Sequence, residues 1–569
     1  MYVKGKTKSR TNIGPLKVND SVLTSNKDMA TALNNFFSSV FTRESHQSVP
    51  DADQHIYNDP ITSCTFPVND IIDALDKLKP TSASGPDGIP GRLLKDNKHC
   101  LSIPLAIIFT KSLASGSVPS DWREANVTPI FKKGSKSDPS NYRPISLTSI
   151  PCKIMEAILK KNIVKHLDVN ELLLTSQHGF RSNRSTTTSL LSFFEDITAE
   201  HDEGNNVDLL YLDFAKAFDK VPHLRLIQKL IAHGVKGQIL EWIKSWLRDR
   251  QQKTVLNGES SQWSNILSGV VQGSVLGPLL FLIFINDLDA AAPLLNYINK
   301  FADDTKVGHR IASVEDRDIL QASINLLHDW SVKWGMSFNV SKCHIMHLGR
   351  TNPRYNYTMD GQTIPTTNEE KDIGVIVTDT LKPSRQCAEA ARRATTILYQ
   401  ISKAFHYRDR HIFVKLYTTY VRCHLEYASP AWSPRNQGDI ETLEKVQKRM
   451  VSMIPGLQGD SYEEKLRELH LMSLESRRNR TDMVTTYKIL TGIDNVDHGT
   501  WFETYGNSNR LTRNSSCPLN IVPKHARTDI RAGFFSQRVV NQWNNLPSTI
   551  KLSPSIASFK RAYDAHQAR

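Results

Sequence analysis

The chain has 569 residues, 39% of them hydrophobic and 23% charged, which excludes a disordered or fibrous protein and calls for two to four folded units. A formal net charge of +13 suits a polyanionic partner, either nucleic acid or an anionic membrane surface. The seven cysteines (Cys64, Cys100, Cys152, Cys343, Cys387, Cys423 and Cys517) are odd in number and never closely spaced, so neither a disulfide framework nor a zinc knuckle is indicated and a reducing compartment is expected.

The first residues are basic, but no apolar stretch follows them, so no secretory signal is apparent. Up to about residue 65 the sequence is turn-rich and reads as a linker-like lead-in, with apolar residues at helical spacing only in LNNFFSSVF (33–41). Val68, Ile71, Ile72, Leu75 and Leu78 then follow a helical period that Pro80 ends, and SGPDGIP (84–90) is turn chemistry. Between residues 120 and 350 helical and strand-like segments alternate. VDLLYLDF (207–214) predicts a buried strand that delivers Asp213 at its end. The apolar run Val270–Ile285 is interrupted by Gln272, Gly273, Gly277 and Pro278 and falls short of the roughly 20 residues a bilayer requires. It predicts a loop followed by a buried helix, and no membrane partner. YINKFADDTKV (297–307) predicts a strand, a tight turn bearing Asp303 and Asp304, and a second strand, hence an α+β core around a sheet. Beyond about Arg385 the pattern is helical. Ile440, Leu443, Val446, Met450 and Ile454 form one apolar stripe, and Ser461 with Glu464 has capping-box spacing. Residues 385–480 hold 17 Lys/Arg against 11 Asp/Glu, a modestly basic surface that fits either solvated helix faces or nucleic-acid contact.

Asp213 and the Asp303–Asp304 pair sit where strands end. Carboxylates gathered there repel one another and lose solvation, costs that a divalent cation removes. Mg²⁺ favours one or two protein carboxylates completed by substrate phosphate oxygens. Two such ions can activate an attacking hydroxyl and steady a leaving pyrophosphate. An Asp-Asp turn on its own is usually a solvated turn; it is the surrounding motifs that favour a metal site.

Those motifs resemble the reverse transcriptases of non-LTR retrotransposons of the jockey-like kind. YLDFAKAFDKVPH (211–223), SGVVQGSVLGPLLFLIFINDL (268–288) and FADD (301–304) are similar to the family's palm motifs. SGPDGIP (84–90), PIFKKGSKSDPSNYRPISL (129–147) and QHGFRSNRSTTTSLL (177–191) resemble its finger motifs. FNVSKCHIMHLG (338–349) resembles the closing palm motifs. LYTTYVRCHLEYASPAW (416–432), LEKVQKRM (443–450) and FFSQRVVNQWNNLP (534–547) resemble the tail. The resemblance spans roughly residues 30–560.

It implies a right-hand polymerase of α+β class, with fingers, a palm built on an antiparallel sheet, a helical thumb and a helical C-terminal region. The expected blocks are a linker-like segment (1–65), fingers (66–206), palm (207–350), connection and thumb (351–480) and a C-terminal region (481–569). The implied activity is RNA-directed DNA synthesis with two Mg²⁺ ions, or Mn²⁺ in their place. Its partners are an RNA template, a DNA primer and deoxynucleoside triphosphates. Asp213 and Asp303 would share the ions, with Asp304 supporting them. Phe218 would close the space for a 2′-hydroxyl, and Gln272 and Gly273 would meet the incoming nucleotide. Lys133, with Lys132 as its alternative, and Arg143 would grip the triphosphate. Arg181 would touch template phosphate, Lys342 would protonate pyrophosphate, and Leu348–Gly349 would form the primer grip. Family members commonly carry an apurinic-type endonuclease and some a CCHC knuckle. Neither is seen in this sequence, so reliance on a helper endonuclease or an existing 3′ end is expected. Nuclear and cytoplasmic location follows from the family alone. The competing reading is a silent or domesticated nucleic-acid-binding remnant, against which the three intact acids argue.

Overall fold

Val207–Leu212 is buried along its whole length, as a strand covered on both faces must be, and it lies inside a four-stranded antiparallel sheet. The computed structural model describes residues 13–567 except 20, 45–48, 406, 458, 460, 507–516 and the side chain of 498. Across the sheet the order is His344–Leu348, Val207–Leu212, Asp304–Arg310 and Tyr297–Phe301. The fold is a mixed one, with helices around mainly antiparallel sheets, as the alternating pattern predicted.

The chain forms two units, and neither is continuous in sequence. One comprises Met1–Leu174, Phe214–Ala292 and Leu326–Asn339; the other comprises Thr175–Asp213, Pro293–Asn325 and Val340–Arg569. These units interleave instead of following the consecutive blocks expected from the motif order. The cause is visible in the second unit, where helix Thr186–Glu203, from the block expected as fingers, shares a core with Val207–Leu212 and with helices beyond Ser384.

In the first unit a five-stranded sheet runs Tyr142–Leu147, Glu124–Phe131, Gln251–Leu256 and Glu259–Ser260, with Ser264–Asn265 also paired to Gln251–Leu256. The lead-in expected to be linker-like is in fact built into this unit. Leu16–Val18 and Ser21–Leu23 form a hairpin, and Asn26–Ser39 a helix capped by the Ser25 hydroxyl. Met29, Ala30, Leu33 and Phe37 pack with Val127, Tyr142 and Leu256 in one apolar cluster. The Asn34 amide donates to the Gln262 carbonyl (3.1 Å) and the Ser264 hydroxyl (2.8 Å), which fixes the helix on the sheet. Helix Gly277–Ile285 is buried and follows a loop, as predicted. Among the described residues no helix is long and apolar enough to cross a membrane.

In the second unit Val207, Leu209, Tyr211, Met346 and Leu348 share a core with the helices Thr186–Glu203, Ser384–Ala404, Gln437–Ser452, Leu474–Leu490 and Phe535–Asn544. Leu443, Val446 and Met450 of the predicted stripe are buried there. The Ser461–Glu464 capping box is formed in both directions. On the opposite sheet face the fully buried Asp208 carboxylate accepts from Asn352 Nδ2 (2.7 Å) and the Tyr357 hydroxyl (2.6 Å), and bonds His347 Nδ1 (2.7 Å). Three partners compensate its lost hydration. The region expected to be connection and thumb opens with two hairpins, Thr358–Met359 with Gln362–Thr363 and Glu369–Asp372 with Val375–Thr378.

Candidate active site

Asp213 directly follows the central strand, and its neighbour across the ladder is set by register. Thr305 lies opposite Leu212, so one further antiparallel step brings Asp304 opposite Asp213. Because side chains alternate with period two, facing residues point to the same side of the sheet. Asp213 and Asp304 accordingly line one cleft, together with Tyr211, Lys306, Lys342 and the hairpin residues Glu370–Ile373. Asp303 occupies the turn, half-buried, between a left-handed Ala302 (φ 59°) and Asp304, and is not part of that lining. This ordering differs from the expected one, in which Asp303 pairs with Asp213 and Asp304 supports. Strand alternation, which the turn sequence alone does not set, is the reason.

Lys342 Nζ lies 3.8 Å from Asp213 Oδ2, with both side chains about half exposed. The Asp213 N–H donates to the Cys343 thiol sulfur at 3.5 Å, and burial raises that thiol to about 11, so it stays protonated at neutral pH. Deeper in the cleft Lys306 is buried in an ion pair with Asp372, its ammonium over the rings of Phe193 and Phe194. Burial lowers the Lys306 pKa and the Asp372 carboxylate opposes the shift. The donor set suits a hard cation: the cleft offers carboxylate oxygens and no thiolate or imidazole among its lining residues. Among the described residues no three His, Cys, Asp or Glu side chains converge as a complete metal cage. A site that borrows phosphate oxygens from its substrate does not need one.

Leu348 and Gly349 are not at this cleft. Leu348 is buried opposite Val207, six strand residues before Asp213, a separation of roughly 20 Å at about 3.3 Å per residue. Gly349 (φ 107°) is explained by Asn206, into which a β-carbon would collide. The turn bordering the acids is instead Ile373–Gly374, whose Ile373 carbonyl accepts from the Tyr427 hydroxyl at 2.9 Å. The sequence signal was KDIGVIVTD (371–379), a glycine turn followed by a short apolar run. Arg181 is half-buried in the loop before helix Thr186–Glu203.

The first unit holds a second group of expected residues. Phe218 stacks on Phe281 (centroids 4.4 Å apart, planes 16° apart), and its carbonyl accepts the Val270 N–H at 2.8 Å. Gln272 donates from Nε2 to Asp219 Oδ1 (2.7 Å), while its carbonyl accepts the Ser146 N–H (2.7 Å). Gly273 has φ 120°, and a β-carbon there would overlap the Ser146 carbonyl oxygen. Its glycine is demanded by the protein's own strand before any ligand is considered. Arg143 projects from Tyr142–Leu147 and is exposed, as is Lys133 in the loop after Glu124–Phe131.

Asp219 was missed from sequence; the only signal is an acid one residue beyond Phe218. Burial raises its pKa to about 6, opposed by the Gln272 hydrogen bond and by the charges of Lys216 and Arg143. Between about pH 4 and 6 the unfolded state has lost this proton while the folded state keeps it, so stability falls as pH rises through that window and levels off above it. Asp219→Asn should remove this slope, gaining at most about 3 kcal/mol over wild type at neutral pH. Parallel urea unfolding of both proteins from pH 4.5 to 7.5 checks it; a constant difference across the range would refute the assignment.

Residues 130–387, which contain Asp213, Phe218, Gln272 and the FADD turn, match the family described as reverse transcriptase (RNA-dependent DNA polymerase). This segment is similar to reverse transcriptase domains. Over 410 residues the chain is 27% identical to the RNA-directed DNA polymerase from mobile element jockey of Drosophila funebris, covering 70% of this chain and 44% of that protein. It is 25% identical over 407 residues to the probable RNA-directed DNA polymerase from transposon X-element of Drosophila melanogaster, with the same two coverages. Over 291 residues it is 26% identical to the Pol polyprotein of type-1 retrotransposable element R2 of Nasonia vitripennis, covering 49% of this chain and 27% of that one. The resemblance to non-LTR retrotransposon enzymes thus stands, and the chain spans less than half the length of these relatives.

Proposed function

We propose that this chain is an RNA-directed DNA polymerase that extends a DNA primer along an RNA template. The observation that carries the reading is the placement of Asp213 and Asp304 on one face at the end of a buried antiparallel sheet, with Asp303 in the adjoining turn. In this reading the sheet is the palm of a right hand, the five-stranded unit belongs to the fingers, and the helices after Ser384 include the thumb. Asp213, Asp303 and Asp304 would hold two divalent ions, Mg²⁺ or Mn²⁺. When bound, those ions supply charge neutralisation and a lowered pKa for the attacking hydroxyl.

The remaining chemistry falls to the chain's own groups. Arg143 and Lys133 (or its neighbour Lys132) offer a planar guanidinium and a point charge to triphosphate oxygens. Phe218, backed by Phe281, limits room at the sugar C2′, and Gln272 is held by Asp219 to face the nucleotide. Arg181 supplies charge for template phosphate. Lys342 neighbours Asp213, where it balances the carboxylate before ions arrive and can then give a proton to leaving pyrophosphate. The Ile373–Gly374 turn is the element best placed to meet the primer terminus. Affinity for the template–primer should rest on phosphates and shape, and so weaken with salt. Synthesis in the cytoplasm and action in the nucleus follow from this reading.

The test is Mg²⁺-dependent incorporation of deoxynucleotides on an RNA template with a DNA primer, comparing wild type with Asp303→Ala/Asp304→Ala. Incorporation by wild type alone is expected. A folded wild type that binds template–primer and incorporates nothing would favour the silent-remnant reading.

A further inference from the structure

The turn that presents Asp303 and Asp304 is gripped by a residue far upstream in sequence. Gln177 is fully buried, and its side-chain oxygen accepts two backbone N–H groups, from Gly179 (2.8 Å) and Ala302 (2.9 Å). Its amide nitrogen donates in turn to the Ala302 carbonyl at 3.4 Å. One side chain therefore engages both polar groups of the residue that precedes the acids. The backbone reinforces the grip: the His178 N–H donates to the Lys300 carbonyl and the Lys300 N–H to the Ser176 carbonyl, both at 2.8 Å. Residues 176–178 thus add a short parallel edge to strand Tyr297–Phe301, with Gln177 bridged to Lys300. Gly179 is required at the same place, because a β-carbon there would collide with the Ala302 nitrogen.

Ala302 needs such restraint. Its φ of 59° is a left-handed conformation that an alanine seldom holds unaided, and a relaxed turn would swing the two following carboxylates. A side chain that only filled core volume would have no reason to offer one oxygen to two separate N–H groups.

We propose that Gln177 and Gly179 are positioning residues that lock the turn at Ala302, and through it set the direction in which Asp303 and Asp304 meet divalent metal. This rests on the polymerase reading for its kinetic consequence, but not for its structural one. Gln177→Met keeps the volume and accepts neither N–H, while Gln177→Glu keeps an oxygen for both.

Three readouts on the full chain separate positioning from plain stability. Amide exchange of residues 299–305 should speed by about tenfold or more in Gln177→Met and by less in Gln177→Glu, which keeps the acceptor for both N–H groups but loses the donor to the Ala302 carbonyl. Mn²⁺ affinity, followed by the spectroscopic signal of the free ion with Asp303→Ala/Asp304→Ala as blank, should weaken about fivefold or more in Gln177→Met. The kcat for incorporation should drop about 10- to 100-fold while the nucleotide KM changes by less than about threefold. Unaltered exchange and Mn²⁺ affinity in Gln177→Met, or its failure to fold, would overturn the proposal. A wild type without incorporation would instead count against the polymerase reading, and exchange and Mn²⁺ binding would still decide the clamp.

Discussion

Asp213→Asn should abolish RNA-templated incorporation, lowering kcat by about 10³-fold or more, while leaving the melting temperature essentially unchanged. The asymmetry follows from where the residue sits. Its carboxylate is 41% exposed and its ion partner Lys342 is 58% exposed at 3.8 Å, so the pair contributes little to stability. Its backbone N–H, bonded to the Cys343 sulfur, is untouched by the substitution. Asparagine keeps the shape and one acceptor oxygen but removes the charge that would hold a divalent ion, and removes it where phosphate charge must be neutralised. Lys342→Met is the companion measurement. It should fold equally well and lose activity by a smaller factor, because a positive neighbour tunes the carboxylate but does not replace the ion. Steady-state incorporation with a thermal melt on each variant checks both. Retention of more than a tenth of wild-type kcat by Asp213→Asn would remove this carboxylate from the reaction.

Phe218→Val should raise ribonucleotide incorporation relative to deoxynucleotide by about 10²-fold, with deoxynucleotide kcat/KM reduced only a few-fold. Discrimination by exclusion depends on a wall that does not move. The Phe218 ring is held nearly parallel to Phe281, a helix residue that is itself fully buried, and the Phe218 carbonyl is tied to Val270. Gly269 makes that approach feasible, since a β-carbon there would collide with the carbonyls of Phe218 and Asp219. Shortening the side chain to valine removes the outer ring atoms but keeps a β-branched apolar group against Phe281. Phe281→Leu should reproduce part of the effect by leaving the gate without its stacked support. Competition between each nucleotide pair on one template measures the ratio. If Phe218→Val leaves it unchanged, the ring is a core residue and sugar selection resides elsewhere.

Local sequence was enough for several features whose partners lie within a few residues. A continuous apolar run had to be a buried strand, and its following acid had to emerge at an end, which located Asp213. FADD between two strand-like segments had to be a hairpin turn, and the spacing of Ser461 and Glu464 had to cap a helix. Burial of Gly277–Ile285 followed from its unbroken apolar faces and short length. These are consequences of backbone period and side-chain solvation, which neighbouring residues set among themselves.

Tertiary pairing decided the rest, because strand register and packing partners are contributed by residues far apart in the chain. Register turned Asp304 toward Asp213 and carried Leu348–Gly349 to the opposite end of the sheet. Packing made the turn-rich lead-in a helix seated on Val127, Tyr142 and Leu256, where its own amphipathic stretch suggested only a short helix in a linker. The hairpin Glu369–Asp372 with Val375–Thr378 took a place at the cleft that no local pattern announced. Asp219 acquired its raised pKa from burial, and Gln177 reached Ala302 across 125 residues of chain. Sequence by itself determined which residues could carry the chemistry; only the folded chain, through long-range register and desolvation, decided which of them stand together.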